Sequence, residues 1–329
     1  MSNSHIQTVA VLTQYNARSL NEHLSSSKWW NFGRKQGGLF LFTPTVTADN
    51  SDWYRGTADA MYQNIDFLKR RHEPYVIISS GDCVYKLDFN RVLDFHIEKK
   101  SDITVVCKDM MYNDDVSRFG VVRMDDESRI TEFDEKPIEA LSNTISTGIY
   151  VIRRRQLIEL LEAAAEENRF DFVNDILVRY KNVKKIYGYK INSYWNNIAD
   201  IDAYFKTNMD FLRPDVRSYF LREEPTICSK VDDLPPAKFN PGSDISNSLV
   251  SSGCIINGSV EDSVLFKQVF VGKNTTVKNC VILNDVYIGD NVHLENCIVE
   301  SRGTINPNTC YCGEDGVMIV KEKNVRYVI

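Results

Sequence analysis

Short apolar runs alternate with amphipathic segments through the first two thirds of the chain. The apolar runs predict β-strands at residues 7–13, 37–42, 75–78, 102–108, 119–124, 129–137, 145–152 and 185–191. Apolar residues at helical spacing predict helices at 16–23, 57–68, 87–99, 156–167, 172–180 and 201–212. Strands that alternate with helices are typical of an α/β protein, so residues 1–213 are predicted to form a Rossmann-like domain.

A different pattern governs the rest of the chain. Residues 214–243 are rich in proline and in charge and are predicted to be a linker. Over residues 244–329 a unit of about seventeen residues repeats, with apolar residues near every sixth position, namely Val271, Val277, Leu283, Ile288 and Leu294. This hexapeptide period predicts a left-handed parallel β-helix, in which each coil buries one apolar residue per face and stacks on the next coil.

Composition narrows the functional classes. The net charge of −6 argues against nucleic acid and anionic membranes as partners, and no apolar run reaches the length of a membrane span. The eight cysteines are scattered apart from Cys310 and Cys312, which predicts the reduced thiols of a cytoplasmic protein. The histidines do not cluster along the sequence, which argues against a metal site built on histidine. They are His5, His23, His72, His96 and His293.

Residues 53–88 carry the densest set of candidate site residues. Gly56 has no Cβ, so the turn around it can bring bare backbone close to a ligand, and Thr57 is a good N-cap for the helix that follows. The run 75–78 is typical of a buried parallel strand. It places Asp82 at the carboxyl end of that strand, where open α/β sheets bind ligands and a carboxylate suits Mg²⁺ beside phosphates. The alternative interpretation is a capping or turn aspartate.

Two motifs of this stretch resemble a known family. Y-R-G-T-A-D-A-x-x-Q-N at 54–64 and S-G-D-x-x-Y-K-x-D at 80–88 are similar to motifs of the glucose-1-phosphate adenylyltransferases, a group of sugar-phosphate nucleotidyltransferases. The resemblance implies a nucleotidyltransferase domain followed by a β-helix. It also implies that Gly56, Thr57 and Ala58 contact the nucleotide, and that Asp82 binds Mg²⁺ on the nucleotide phosphates.

The same resemblance implies a sugar-phosphate site. In the motif E-K-P, Lys136 matches a lysine that grips the phosphate of glucose 1-phosphate, and Glu135 matches a glutamate that hydrogen-bonds sugar hydroxyls. A lysine point charge suits a phosphate monoester. Gly120 matches a sugar-facing backbone position, and Thr147 and Gly148 lie in a matching S-T-G-I-Y run. The alternatives are a solvated Glu–Lys pair before a turn proline and an ordinary strand glycine.

Two departures from the family pattern argue against catalysis by this chain. The family's second metal carboxylate lies in Y-W-x-D-V-G-T, whereas this chain has Y-W-N-N-I-A-D, with the neutral amide of Asn197 at that place. Asp200, three positions further on, is predicted to be an N-cap. The family's Gly-rich phosphate loop with its basic residue has no counterpart in the sequence, so the α/β domain is expected to be N-terminally truncated.

The leading hypothesis is a regulatory, D-type subunit of a glucose-1-phosphate adenylyltransferase in glycogen biosynthesis. The resemblance implies a tetramer with a homologous catalytic subunit, Mg²⁺ as the metal, and ATP, glucose 1-phosphate or a sugar-phosphate effector as ligands. One alternative is a self-sufficient catalytic enzyme that tolerates Asn197. A remote alternative is a hexapeptide-repeat acyltransferase, which would need a general-base histidine, and His293 is the only histidine of the repeats.

Overall fold

The computed structural model describes residues 1–25, 29–32, 37–45, 53–112, 114–225, 227 and 229–322. As far as it is described, the chain divides into two compact units. The first unit comprises residues 1–81, 86–193 and 228–230, and the second comprises residues 82–85, 194–227 and 231–329. Residues 194–213, predicted to belong to the first domain, thus cluster with the second unit. The end of the predicted repeat, 323–329, lies outside the described residues.

The described residues form seven α-helices, a 3₁₀ turn (Ser2–Ser4) and a π-helical segment (Val173–Val178). The helices are α1 (Ala17–Leu24), α2 (Thr57–Gln63), α3 (Ile65–Lys69), α4 (Phe89–Glu98), α5 (Arg154–Glu166), α6 (Ile201–Asp210) and α7 (Pro214–Leu221). The first ten strands are β1 (Thr8–Leu12), β2 (Gly38–Phe42), β3 (Tyr75–Ser79), β4 (Cys83–Tyr85), β5 (Ile103–Asp109), β6 (Gly120–Met124), β7 (Ile130–Glu135), β8 (Thr144–Arg153), β9 (Ile186–Lys190) and β10 (Trp195–Asn197).

Local sequence explains most of these helices. Helix α5 buries residues at positions i, i+3, i+4 and i+7, which are Leu157, Leu160, Leu161 and Ala164. The predicted helix over 57–68 is instead two helices, because the backbone leaves the helical region at Asn64 (φ −109°, ψ 22°). Asp200 caps α6 as predicted, since its carboxylate accepts a hydrogen bond from the N–H of Ala203 at 2.7 Å.

A mixed sheet of six strands forms the centre of the first unit. Its order is β7-β6-β8-β5-β9, with β3 also paired to β8. Residues 103–107 of β5 are all buried, so both faces of this strand are covered. Strand β5 lies between β8, to which it is antiparallel, and β9, to which it is parallel. The prediction that 75–78 is a buried parallel strand is wrong. Strand β3 is antiparallel to β8 and only half-buried, since β8 is its only strand neighbour in the described part of the chain.

Fifteen short strands of the second unit form three parallel sheets of five strands each. They are β11 (Lys238–Phe239), β12 (Asp244–Ser246), β13 (Leu249–Val250), β14 (Ile255–Ile256), β15 (Ser259–Glu261), β16 (Val264–Leu265), β17 (Phe270–Val271), β18 (Thr276–Lys278), β19 (Val281–Ile282), β20 (Tyr287–Ile288), β21 (His293–Glu295), β22 (Cys297–Val299), β23 (Thr304–Ile305), β24 (Cys310–Cys312) and β25 (Met318–Val320). They wind into a left-handed parallel β-helix of five coils, as predicted. Helix α7 and strand β11 lie within the predicted linker.

The repeat of seventeen residues is visible in the strand register. Val277 lies opposite Leu294 and Val271 lies opposite Ile288 in neighbouring coils, and all four side chains are buried in the interior stack. The sequence prediction that Leu283 belongs to this stack is wrong. Ile282 occupies the interior and Leu283 is half-buried, because the step from Val277 to the next face is five residues rather than six.

The corners of the coils use residues that tolerate a left-handed backbone. Asn274, Asn291 and Asn308 have φ of 55°, 55° and 61°. Their side-chain amides donate from coil to coil, at 3.2 Å from Asn274 to Asn291 and at 3.0 Å from Asn291 to Asn308. The same residue type at the same corner therefore links successive coils. Among the described residues, no helix is long and apolar enough to cross a membrane.

Candidate functional site

The glycine turn before α2 packs against residue 170 of its own unit. A Cβ on Gly56 would lie 2.4 Å from the carbonyl oxygen of Phe170. That oxygen accepts hydrogen bonds from the N–H groups of Ala58, at 2.8 Å, and Asp59, at 3.2 Å. Gly56 is extended (φ 177°), so the close carbonyl and not a left-handed backbone requires the glycine. The first amides of α2 therefore have a protein partner, and the assignment of Gly56, Thr57 and Ala58 to nucleotide binding stays a prediction.

Thr57 does not cap the helix, which corrects the sequence prediction. The N-cap position belongs to Gly56, and the hydroxyl of Thr57 accepts a hydrogen bond from the N–H of Phe172 at 2.9 Å. The partner lies 115 residues away along the chain, so only the tertiary fold could reveal it.

A buried carboxylate fixes the same turn from inside. Asp59 is 3% exposed and accepts hydrogen bonds from the N–H of Arg55 at 2.8 Å and from Nε2 of Gln63 at 3.0 Å. The guanidinium of Arg55 also stacks on the ring of Phe170 at 3.7 Å. Sequence reasoning missed Asp59, although the spacing of four between Asp59 and Gln63 places these two side chains on one face of a helix.

The hairpin of β6 and β7 carries three of the predicted sugar-phosphate residues. Gly120 lies opposite Glu135, and a Cβ on Gly120 would come within 2.8 Å of the Oε2 atom of Glu135. Lys136 follows in a left-handed conformation (φ 51°) and donates its backbone N–H to the carbonyl of Phe119 at 3.1 Å. Lys136 is exposed, whereas Glu135 is half-buried. The hairpin thus presents a lysine charge to solvent beside a partly desolvated carboxylate.

Strand β8 contributes the other two predicted residues. The buried hydroxyl of Thr147 donates to the carbonyl of Val106 at 2.8 Å. Gly148 has φ 74°, and its carbonyl accepts from the N–H of Ser80 at 2.9 Å. A Cβ on Gly148 would lie 3.0 Å from the Cβ of Ser80, so this glycine serves both a left-handed backbone and a close approach. The structure therefore joins Gly148 to the loop that follows β3.

Two more residues of β8, Ser146 and Tyr150, were not singled out by sequence reasoning. The hydroxyl of Tyr150 lies 3.3 Å from the Oγ atom of Ser146, and the Tyr150 ring packs on Phe172 at 5.2 Å between centroids. Burial raises the pKa of Tyr150 above its usual range, so this phenol is neutral and can donate a hydrogen bond. The period-two pattern of β8 places Ser146, Gly148 and Tyr150 on one side of the strand, and that signal was available.

The pKa of Glu135 is set by burial and by two neighbouring charges. Desolvation raises the pKa of Glu135, the charge of Lys136 opposes this shift, and the charge of Asp171 adds to it. Asp171 is also close enough to Tyr150 to raise that pKa further. Glu135, Tyr150 and Asp171 therefore form a group of polar side chains that act on one another within the first unit. Two acceptors and one donor of this kind suit a polyhydroxyl ligand.

The predicted metal residues lie in the second unit. Strands β4 and β10 pair antiparallel, with Cys83 opposite Asn197, and the N–H of Ile198 donates to the carbonyl of Asp82 at 2.7 Å. The thiol of Cys83 donates to Oδ1 of Asp82 at 3.4 Å and accepts from Nδ2 of Asn197 at 3.7 Å. Burial, with the charge of Asp82, raises the pKa of the Cys83 thiol to about 12, so it is neutral. The fold thus brings Asp82 and Asn197 to the same thiol.

Asp82 and Asn197 do not reproduce a pair of metal carboxylates. The Oδ1 atom of Asn197, its only metal-ligating atom, accepts a hydrogen bond from the N–H of Ala199 at 3.0 Å. Asp82 is the only carboxylate of the two side chains. Mg²⁺ is held by one or two carboxylates together with substrate phosphates. These residues therefore fit a magnesium ion that arrives on a nucleotide and is held by a single carboxylate, and not a dedicated two-carboxylate site.

Comparison with known proteins agrees with this architecture. A family model described as "Nucleotidyl transferase" matches residues 1–213, and one described as "GlmU-like, C-terminal hexapeptide" matches residues 235–320. The two matches define a nucleotidyltransferase-type domain followed by a hexapeptide-repeat β-helix, which confirms the predicted fold class.

Curated relatives narrow the class to one family. The glucose-1-phosphate adenylyltransferases of Clostridium novyi, Clostridium acetobutylicum and Bacillus subtilis are 37%, 38% and 36% identical to this chain. Each alignment covers 84% of this chain and 73% of the relative. The chain therefore belongs to the glucose-1-phosphate adenylyltransferase family.

Proposed function

We propose that this chain is a modulatory subunit of a glucose-1-phosphate adenylyltransferase. That enzyme converts ATP and glucose 1-phosphate to ADP-glucose and pyrophosphate. In this proposal the chain binds a sugar phosphate and assembles into a mixed tetramer with a homologous catalytic subunit. It raises the turnover of that subunit or changes its response to effectors, and its own turnover is low.

Asn197 is the observation that carries the proposal. Nucleotidyl transfer depends on metal and cationic stabilisation of the phosphates, and the amide of Asn197 adds no charge to that stabilisation. Its oxygen accepts a backbone hydrogen bond from Ala199 at 3.0 Å and its nitrogen donates to Cys83 at 3.7 Å. The Asn197 side chain therefore makes hydrogen bonds that help to hold strands β4 and β10 together. Asp82 alone would hold the nucleotide-borne Mg²⁺.

The residues for a sugar phosphate support the binding half of the proposal. Glu135 and Lys136 keep a carboxylate and a lysine charge side by side, and Gly120 leaves room for the carboxylate. A phosphate monoester would meet the exposed ammonium of Lys136, and sugar hydroxyls would meet Glu135. The residues proposed for glucose 1-phosphate are different from Asp82, the residue proposed for the metal.

The decisive experiment measures ADP-glucose formation by the purified chain, alone and with a homologous catalytic subunit. With Mg²⁺, ATP and glucose 1-phosphate, we expect low turnover alone and a clear rise in the partner's turnover or a shift in its effector response. Restoring the carboxylate with Asn197→Asp should raise the chain's own Mg²⁺-dependent turnover at least tenfold, a change of the size that even outer-shell metal partners produce. The matched control is Asn284→Asp, which should have no such effect. Asn284 is an exposed asparagine of the same unit, and its side-chain oxygen also accepts a backbone hydrogen bond, from the N–H of Lys267 at 3.1 Å.

The second candidate is a self-sufficient adenylyltransferase, which Asp82 favours because one carboxylate with substrate phosphates can hold Mg²⁺. Substantial turnover by the chain alone, abolished by Asp82→Asn and not increased by Asn197→Asp, would replace the modulatory proposal with this one. A chain that binds glucose 1-phosphate but neither turns over nor affects a catalytic subunit would overturn both.

A further inference from the structure

Four potential metal ligands lie together on the outer face of the last two complete coils. His293 and Glu295 are on strand β21, and Cys310 and Cys312 are on the neighbouring strand β24. The parallel register places His293 opposite Cys310 and Glu295 opposite Cys312. Side chains at positions i and i+2 of a strand point to the same face, and Leu294, between the first pair, is buried in the core. All four side chains therefore lie on the outer surface of one sheet.

The distances within this group are those of a compact cluster. The ligand atoms of His293, Glu295 and Cys312 all lie within 4.8 Å of one another. Nε2 of His293 is 3.5 Å from Oε2 of Glu295, and the Sγ atoms of Cys310 and Cys312 are 3.6 Å apart. Among the described residues, His293, Glu295 and Cys312 are the only group of three or more His, Cys, Asp or Glu side chains that meets this distance criterion.

We propose that His293, Glu295, Cys310 and Cys312 form a binding site for a thiophilic divalent cation of the Zn²⁺ type. A tetrahedral zinc site has Zn–S bonds of about 2.3 Å and Zn–N or Zn–O bonds of about 2.0 Å. That geometry separates two sulfur ligands by about 3.8 Å and a nitrogen from an oxygen by about 3.3 Å. In the structure the sulfur pair is 3.6 Å apart and the nitrogen–oxygen pair is 3.5 Å apart, close to these separations.

Little rearrangement is needed to complete the site. Cys310 is exposed, so its thiol can turn about χ1 toward the other three ligands without displacing packed atoms. Lys278 lies opposite Glu295 in the preceding coil, but its ammonium pairs with Glu261 at 3.5 Å. The donor set of two thiols, an imidazole and a carboxylate selects zinc-like metals over Mg²⁺, which prefers oxygen ligands alone. The site is thus chemically distinct from the place of Asp82, and it does not depend on the proposed function.

The sequence expectation against a histidine-based metal site rested on spacing along the chain, which does not detect this group. His293 and Cys310 are seventeen residues apart, a spacing that matches no familiar zinc motif. One turn of the β-helix is seventeen residues here, so the repeat brings the two residues side by side.

Metal titration of the reduced full-length chain tests the proposal. After chelation and removal of the chelator, Co²⁺ should bind with one equivalent per chain and give the visible bands of a tetrahedral site and a thiolate-to-cobalt charge-transfer band. Zn²⁺ should displace it. Substitutions His293→Ala, Cys310→Ser and Cys312→Ser should each weaken Zn²⁺ binding at least tenfold in competition with a chromophoric chelator. The matched control is His72→Ala, an exposed histidine in the other unit, which should leave the affinity unchanged.

A measurement on the unmodified chain guards against misfolded variants. Zn²⁺ should protect Cys310 and Cys312 from alkylation, as read by peptide mass spectrometry, while Mg²⁺ should not. No tetrahedral Co²⁺ spectrum, or affinity that survives the loss of both cysteines, would overturn the proposal. A Cys310–Cys312 disulfide that, once reduced, yields thiols without metal affinity would also overturn it, and would make the pair a redox element instead.

Discussion

Replacing Gly56 with alanine should destabilise the first unit before it affects any ligand. The new Cβ would lie 2.4 Å from the oxygen and 2.8 Å from the carbon of the Phe170 carbonyl. Both are backbone atoms, so no flexible side chain can move aside. The carbonyl must shift, and it is the acceptor for the N–H groups of Ala58 and Asp59 at 2.8 and 3.2 Å.

The size of the effect follows from those two hydrogen bonds. Leaving a buried donor without a partner costs about 1–3 kcal/mol. Ala58 is 1% exposed and Asp59 is 3% exposed, so water cannot replace the lost acceptor. Because the two amides share one acceptor and the chain can relax in part, we expect Gly56→Ala to lower the free energy of unfolding by about 2–4 kcal/mol in total.

Hydrogen exchange read by mass spectrometry is the suitable assay, because a chain of two units need not unfold in a single step. Peptides that cover α2 and residues 170–178 should exchange faster in Gly56→Ala, and urea unfolding should shift to lower concentration. The matched control is Gly81→Ala, where an added Cβ would meet nothing within 4 Å, so stability should hold or rise slightly. Equal stability and exchange in the two variants, with a loss of ATP affinity only in Gly56→Ala, would refute the structural argument and assign Gly56 to the nucleotide.

Three further predictions concern a buried histidine, the β-helix core and the phosphate ligand. Burial lowers the pKa of His96 from 6.5 to about 4. Between these pH values the unfolded chain binds more protons than the folded chain. The contribution of His96 to the free energy of unfolding is therefore full above about pH 6.5 and is lost as the pH falls towards 4. Urea unfolding at about pH 7.5 and about pH 5 should differ by about 2 kcal/mol from this group, and His96→Gln should lack that part of the difference. Leu294→Ala should lower the free energy of unfolding by about 2–5 kcal/mol in thermal or urea unfolding, because the side chain is fully buried. Leu283→Ala should lower it clearly less, because Leu283 is half-buried, and equal losses would contradict the assigned interior stack. Lys136→Ala should weaken glucose 1-phosphate binding about tenfold or more in calorimetry. The control Lys100→Ala, which removes an exposed lysine with nearly the same left-handed φ (49° against 51°), should leave the affinity unchanged. Equal losses of affinity in the two variants would argue against a phosphate contact at Lys136.

Periodic features of the fold were predictable from the sequence, because periodicity is local information. The repeat of seventeen residues predicted the β-helix, and the spacing of Leu157, Leu160 and Leu161 predicted α5. The same reasoning misplaced Leu283, since a step of five residues interrupts the six-residue rule at that corner. Helix α7, which was predicted to be part of the linker, could also have been found from the sequence. Its first residue is Pro214, and proline favours the first position of a helix.

Contacts between distant segments were not predictable in this way. Strands β4 and β10 have three residues each and pair across more than a hundred positions, with no period to mark them. The hydroxyl of Thr57 serves Phe172 rather than its own helix for the same reason. The resemblance supplied Gly120, Glu135 and Lys136, which residue patterns alone would have left as a hairpin with a solvated ion pair.

The positions of the candidate residues suggest how a family member can lose catalysis and keep its fold. Those predicted for the sugar phosphate, such as Lys136, belong to the first unit, and Asp82 and Asn197 belong to the second. An asparagine has nearly the shape of an aspartate, and Asn197 still closes the turn to Ala199 and contacts Cys83. In the proposed function, an amide in place of a carboxylate at this position removes a charge from metal binding, while the contacts of Asn197 with Cys83 and Ala199 are kept. Such a chain retains its β-helix and the residues proposed for the sugar phosphate, which are the parts that the proposed modulatory role uses.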